Sequence, residues 1–384
     1  MGDLVIMDSF AFIIHPIDPK RDVSRKFPLL GKLLNERQIS FFSAFFPPVY
    51  ISEIQGIKSA ATEKQIKGWF LACPLTPDRM LGLPEERVYR KIIQTGQMAE
   101  RLGAKILGLG AFTSVVGDAG ISIARALDIP VTTGDAYTVS VAVQAIRKAA
   151  RIMEIPLEMA AAAVVGATGA IGRICCELLA NDVSRLYLIG RRPEKLERLR
   201  RELQPNNPGV RIFTSTSTSV LPDVDLTLAA TSSKGAIIQP EDLRPGSVIC
   251  DVARPRDVSS KVAEARQDVL VIDGGTVEVP GAVDFGFDFG LPGGQAYACM
   301  AETMALTLEG RFEDYTLGKE ISRARVDEIT AMAEKHGFRL SGFRSFEKPV
   351  TAGQIARIRQ RAQAKLQVSA TNNPRRLLWE KPDF

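Results

Sequence analysis

Residues 160–179, AAAAVVGATGAIGRICCELL, constrain this chain more than any other stretch. Small and β-branched apolar residues run directly into glycines at 166, 169 and 172, and an apolar helical pattern starts at once. Glycines at that spacing between a strand and a helix each have a mechanical task. One permits the sharp turn, one lets the backbone approach a pyrophosphate, and one lets the helix pack closely on the strand. Free N–H groups at the helix start then bind the phosphates. The expected dinucleotide loop is therefore Gly166, Ala167, Thr168, Gly169, Ala170, Ile171 and Gly172, a mere tight turn being the bland alternative.

The chain beyond this loop repeats the theme. Apolar strand patterns at 185–190, 211–215, 225–231, 247–252 and 269–273 alternate with helical ones at 170–179 and 193–203. Such alternation implies α/β architecture, a Rossmann-type doubly wound parallel sheet. The second strand ends in Leu188-Ile189-Gly190-Arg191-Arg192, where an NAD-preferring site would place a carboxylate for the ribose 2′-hydroxyl. Guanidinium groups there attract a 2′-phosphate, so Arg191 and Arg192 imply NADPH. Thr231 and Ser232, after the fourth strand, fall where the nicotinamide ribose passes. Asp251 and Asp273 end two further strands and read equally as ligand contacts or turn-formers.

The remainder fits a second α/β domain that binds substrate. The expected division is 1–156 for its first part, 157–292 for the dinucleotide domain, 293–345 for helices returning to the substrate domain, and 346–384 for a basic appendage. Residues 3–16, 49–57, 67–74, 105–114 and 129–134 read as strands; 84–102, 119–127 and 137–153 read as helices. Segment 17–46 is looser. The aromatic run FFSAFFPPVY at 41–50 reads first as a core or domain contact, and otherwise as a wall for an apolar substrate or a patch touching a membrane. In the tail, 354–367 has a basic helical pattern and 377–379 an apolar spot; a solvated helix, a subunit contact or an acidic carrier contact would each account for it.

Forty-nine basic residues against 44 acidic ones leave a mild positive balance, without the basic runs interleaved with aromatics that nucleic-acid binding uses. No apolar stretch reaches the ~18 residues of a membrane span, and the start MGDLVIMDSF lacks a basic segment followed by a long apolar run. Cys73, Cys175, Cys176, Cys250 and Cys299 show no metal-ligand spacing, and with only His15 and His336 a histidine-based metal site is not expected. A reducing cytoplasm is the expected setting.

Cys299 is the candidate nucleophile, in GLPGGQAYACMAETMAL at 290–306. The spacing predicts one long helix over 295–309, launched by Gly293 and Gly294, with Cys299 in its first turns. A helix N-terminus favours thiolate, so a lowered pKa is expected there. A thiolate attacks thioesters, and the acyl-enzyme formed accepts hydride. The alternative is a small buried hydrophobe, the reading given to Cys73, Cys175, Cys176 and Cys250.

GLGAFTS (108–114), TTGDAYT (132–138), VVGATGAIG (164–172), DGGTVE (273–278), QAYACMAETMALTLEG (295–310) and KHGF (335–338) together resemble the long-chain acyl-[acyl-carrier-protein] reductases, best known from cyanobacteria. The resemblance implies reduction of acyl-carrier thioesters to fatty aldehydes with NADPH, and places the family's acyl-accepting cysteine on Cys299. It makes Thr133, Gly134 and Tyr137 candidates for the substrate wall, although the family has histidine where Tyr137 stands. The acyl donor would be acyl-carrier protein or acyl-coenzyme A. Phe112 and the Phe41–Phe46 cluster would line an acyl tunnel, and N–H groups near Gly294 would serve an oxyanion. A more distant resemblance to shikimate and quinate dehydrogenases puts Gln295 where those enzymes carry a substrate glutamine, yet no lysine accompanies TTGDAYT to complete their proton-moving pair. A hydroxy-acid dehydrogenase, or a non-catalytic NADP(H)-binding protein, are the competing readings. A homo-oligomer and a peripheral membrane contact are further expectations.

Overall fold

The computed structural model describes residues 7–233 and 235–372. The chain divides into two compact units, residues 1–141 with 275–341, and residues 142–274 with 342–384. Each is built on its own six-stranded sheet.

In the first unit, β1 (Ser9–Ile14) lies between parallel β3 (Gln65–Ala72) and β4 (Leu107–Leu109), with β2 (Val49–Lys58) antiparallel to β3 and β5 (Val131–Thr132) parallel to β4. SFAFII in β1 is buried on both faces, the pattern a central parallel strand requires. Segment 17–46 is not loose coil. It forms three short helices, α1 (Pro19–Lys26), α2 (Pro28–Leu33) and α3 (Glu36–Ser43). Proline opens the first two, and Asn35 with Gln38 forms a capping box on the third, signals too short-ranged for an apolar-periodicity search to find. Helix α4 (Pro77–Gly82) precedes α5 (Glu85–Leu102), which buries Val88, Ile92 and Ala99. The strand expected over 105–114 stops at Leu109, and α6 (Phe112–Val115) begins instead. The Thr113 hydroxyl caps that turn by bonding the Gly110 carbonyl at 2.7 Å. The helix expected over 119–127 contracts to α7 (Ile121–Ala124). Helix α8 (Asp135–Ile152) carries the chain into the second unit.

The second unit contains β6 (Ala161–Val165), α9 (Ala170–Leu179), β7 (Arg185–Ile189), α10 (Pro193–Leu203), β8 (Arg211–Ser215), β9 (Leu226–Ala229), β10 (Val248–Asp251), α11 (Ser260–Ala265) and β11 (Leu270–Asp273). Its sheet is parallel throughout, in the order β11-β10-β9-β6-β7-β8. That is the doubly wound Rossmann order, whose direction of winding reverses between β6 and β9.

The chain then returns to the first unit with β12 (Thr276–Glu278), β13 (Gly281–Asp284), which edges the first sheet beside β2, and β14 (Gln295–Tyr297). The long helix expected from Gln295 therefore starts later, as α12 (Ala298–Glu309). Residues 295–297 pair with β12 instead, and Ala298 N–H is taken by the Gly275 carbonyl at 2.7 Å. Helix α13 (Arg323–His336) and the short β15 (Arg339–Leu340) complete this unit. The basic tail helix α14 (Ala352–Asn372) belongs to the second unit, where Ile355 and Ala362 are buried and Lys365 pairs with Asp268 at 2.9 Å. Residues 3–6 of the first expected strand and the apolar spot at 377–379 lie outside the described residues. Among the described residues no helix is long and apolar enough to cross a membrane.

Candidate active site

The glycine loop follows β6, at the point where the second sheet reverses its winding. Gly166 adopts φ +87°, and a Cβ there would lie 2.5 Å from the Ala230 carbonyl oxygen of the neighbouring strand's end. A Cβ on Gly172 would overlap the Gly166 carbonyl, so α9 reaches β6 only because residue 172 has no side chain. Gly169 differs. Its φ is an ordinary −79°, and a Cβ would meet nothing nearer than the Gly166 oxygen at 3.3 Å. Protein packing presses on residue 169 far less than on 166 and 172. Gly169 is also the N-cap of α9 and offers no side chain to the first N–H groups. They remain available to an anion.

Thr168 and Gly169 are exposed and Ala170 and Ile171 partly so, while Ala167 is buried under the loop. Arg191 and Arg192 both stand exposed at the end of β7, and among the described residues neither guanidinium has an ion-pair partner. An unpaired pair of guanidinium groups beyond the second strand fits a 2′-phosphate. Thr231 is committed elsewhere: its N–H and hydroxyl both reach Asp257, at 2.8 and 2.5 Å. Burial raises the Asp257 carboxyl to about 6. Ser232 is exposed. Asp251 accepts from the N–H groups of Ala253 and Val258 at 3.0 Å, and Asp273 pairs with Arg256, so both are turn-holding residues.

The cysteine pocket lies in the first unit. Cys299 is the second residue of α12, partly buried, with Gly134 pressed against it. A Cβ on Gly134 would overlap the Cys299 Cα and sit 2.5 Å from its Cβ. Gly134 takes φ +76°, which lets the TTGD turn swing its backbone this close. Glu302, one turn further along α12 and wholly buried, ties the same turn down. It accepts from the Thr132 hydroxyl at 2.5 Å, the Thr316 hydroxyl at 2.8 Å and the Tyr137 N–H at 2.8 Å. Neighbouring Asp135 is buried as well. Burial, with the Glu302 charge adding to it, lifts the Asp135 carboxyl to about 7.

These carboxyl groups overturn the expectation of a lowered thiol pKa. Burial, followed by the negative field of Asp135 and that of Glu302, pushes Cys299 up to about 12, and the opposing backbone N–H groups of Met300 and Cys299 do not offset them. At rest the sulfur is a thiol. The expected wall residues Thr133, Gly134 and Tyr137 are all buried, and burial, with the Glu334 charge adding to it, raises the Tyr137 phenol. Gln295 sits on β14, not in a helix, with its buried Oε1 unpartnered. Phe112 is a core residue packed edge-on against His15. The N–H groups nearest Cys299 at the helix start are those of residues 298–300, so Gly294 does not launch the helix. Cys73, Cys175, Cys176 and Cys250 are fully buried, and burial raises all four thiols.

The aromatic run is not core. Phe41 is 52% and Phe45 73% exposed, with Phe42, Phe46 and Tyr50 also open to solvent. Sequence reasoning also passed over Glu302. Its one signal was a carboxylate three residues after Cys299 on an otherwise apolar helix.

Compared with known proteins, residues 147–274 match the model of the shikimate / quinate 5-dehydrogenase family. The chain carries an NAD(P)-dependent oxidoreductase fold. Over 305 residues, 79% of its length, it is 33% identical to aminotransferase PigE of a Serratia species, and it spans 36% of that relative's length. Over 346 residues, 86% of its length, it is 28% identical to the long-chain acyl-[acyl-carrier-protein] reductase of Synechococcus elongatus, covering 98% of that protein. Solved structures similar to it include L-tryptophan dehydrogenase from Nostoc punctiforme, at 13% identity and TM-score 0.38, covering 94% of this chain and 89% of that one. The 5-ketofructose reductase of a Gluconobacter species matches at 11% identity and TM-score 0.36, over 86% of this chain and 97% of that one.

Proposed function

We propose that the chain reduces a long-chain acyl thioester to a fatty aldehyde with NADPH, through an acyl-enzyme on Cys299. The observation that carries the proposal is Cys299 at the start of α12 with the Gly134 turn pressed against it, next to the buried Asp135, whose carboxyl burial raises to about 7 and whose charge acts on the thiol. A thiol held near 12 is a poor nucleophile by itself, and a base beside it supplies what the helix terminus does not. Asp135 takes the thiol proton as Sγ attacks the thioester carbonyl carbon. The carbon–sulfur bond to the carrier breaks, the departing thiolate regains that proton, and the acyl group remains on Cys299. Glu302 keeps the 132–137 turn in register while this happens. NADPH, held by residues 166–172, would supply the hydride that reduces the acyl carbon. Cys299 Sγ then leaves, the aldehyde is released, and Asp135 relays a solvent proton back to the sulfur. One thioester, one NADPH and one proton give one aldehyde, one free thiol and NADP+.

The cofactor would be held by residues 166–172, with Arg191 and Arg192 favouring the 2′-phosphate. The acyl donor is acyl-carrier protein or acyl-coenzyme A; near full-length similarity to the Synechococcus reductase supports this class. The hydroxy-acid dehydrogenase reading is favoured by the family match alone, which ends at residue 274, before Cys299. Supplying NADPH and a long-chain acyl-carrier thioester should yield aldehyde and NADP+, and Cys299→Ser should abolish both. Oxidation of shikimate or quinate with NADP+, without any aldehyde formation, would favour the dehydrogenase reading. Dinucleotide binding with no turnover of either substrate would leave a binding protein.

A further inference from the structure

We infer that the three-helix layer α1–α3 is a docking surface for an anionic lipid membrane. Helix α1 packs against both α2 and α3, and the layer leaves large apolar side chains uncovered. Leu29 and Leu33 on α2 are 74% and 77% exposed, and Phe45, just after α3, is 73% exposed. Phe41, Phe42 and Phe46 flank Phe45 and are also exposed, with Phe41 in ring contact with Phe42 and Phe45. Large apolar residues scattered singly over a surface need no explanation, but a concentration of this kind does.

The chemistry of the layer selects the occupant. Lys20, Lys32 and Arg37 stand exposed among these residues, and among the described residues none of the three has an ion-pair partner. Lys32 directly precedes Leu33, and Arg37 lies one helical turn before Phe41. Free cations interleaved with aromatic and leucine side chains match an anionic headgroup layer above hydrocarbon. The apolar groups also project. A leucine three-quarters exposed stands out from its surroundings, so it inserts into a fluid phase without needing a matched pocket in a partner. Residues 18–43 carry Lys20, Arg21, Arg25, Lys26, Lys32 and Arg37 against Asp18, Asp22 and Glu36, so a second copy of the chain would set net positive charge against net positive charge.

The full-length protein should sediment with vesicles of equal parts phosphatidylcholine and phosphatidylglycerol, and much less with pure phosphatidylcholine. The triple change Leu29→Ser, Leu33→Ser and Phe45→Ser alters only solvent-facing side chains, so it should leave the circular dichroism spectrum and the NADPH affinity unchanged. It should weaken vesicle binding by at least about tenfold. Lys20→Gln, Lys32→Gln and Arg37→Gln together should erase the preference for phosphatidylglycerol and the sensitivity to salt. The inference is overturned if the unaltered protein ignores both vesicle types, or if the triple variant binds as well as the parent. It is equally overturned if the triple change converts a dimer to a monomer in gel filtration without altering sedimentation, which would make the face a contact between copies.

Discussion

The glycine loop of the second unit and the cysteine pocket of the first are both tight turns abutting a helix start, yet they are made from different materials. The loop is nearly all backbone: Gly166, Gly169 and Gly172 shape it, and their jobs follow from spacing within seven residues. The pocket is made of side chains brought from afar. Glu302 meets Thr132 across 170 residues and Tyr137 across 165, and the burial of Cys299 beside the Asp135 and Glu302 carboxyl groups raises its thiol. A backbone device can be read from local sequence. A pKa set by tertiary neighbours cannot, and here it reversed the sign expected of Cys299.

That contrast can be broken most severely at Gly134. Gly134→Ala adds a methyl where Cys299 already sits, at a φ that alanine resists, and should cut aldehyde formation by about a thousandfold while NADPH affinity holds. Steady-state rates beside dinucleotide titration separate the two effects; equal losses in both would mean the turn has a merely structural role.

Asp135→Asn should slow acylation by about a hundredfold. The pH dependence carries a sign. Acylation needs the ionised carboxylate, so in the parent it should rise with pH through about 7, and the variant should lose that rise. Stability runs the other way. The carboxyl's folded pKa is raised, so the stability linked to its proton is complete below about 4 and lost as pH climbs through about 7. Asp135→Asn should therefore be the more stable protein at pH 8, by roughly 1–4 kcal/mol, with the difference vanishing near pH 4. Urea melts at the two pH values would check it.

Within the loop, Gly169→Ala and Gly172→Ala sharpen the comparison. Both should weaken dinucleotide binding by about tenfold to a hundredfold, but only Gly172→Ala should also lower the melting temperature, because it alone collides with the protein's own backbone. The smallest effect belongs to the arginines. Arg191→Ala with Arg192→Ala should raise the NADPH KM by about tenfold and leave the NADH KM nearly unchanged, the loss expected for solvent-exposed contacts to one phosphate. Equal changes for both dinucleotides would remove 2′-phosphate recognition from the account.

Much of the second unit was legible in the sequence for the reason the loop was. Buried parallel strands such as AAAVV and LVID announce themselves as continuous apolar runs, and α9 and α10 carry clean helical periodicity from their first residue to their last. The first unit was less so. Helices α1–α3 are stopped and started by prolines and caps within a few residues, and nothing in FFSAFFPPVY distinguishes a buried aromatic run from an exposed one. Gln295 looked helical because it continues the apolar pattern of α12. Only its pairing with β12, set by residues 276–278, makes it a strand.

The central claim is that the acyl group resides on Cys299 before it is reduced. Mixing the protein with a long-chain acyl-carrier thioester in the absence of dinucleotide, then digesting and weighing the peptides, tests it directly. An acyl adduct on the Cys299 peptide is expected, and it should disappear as aldehyde when NADPH is added. An unmodified Cys299 peptide in a preparation that still makes aldehyde would contradict it.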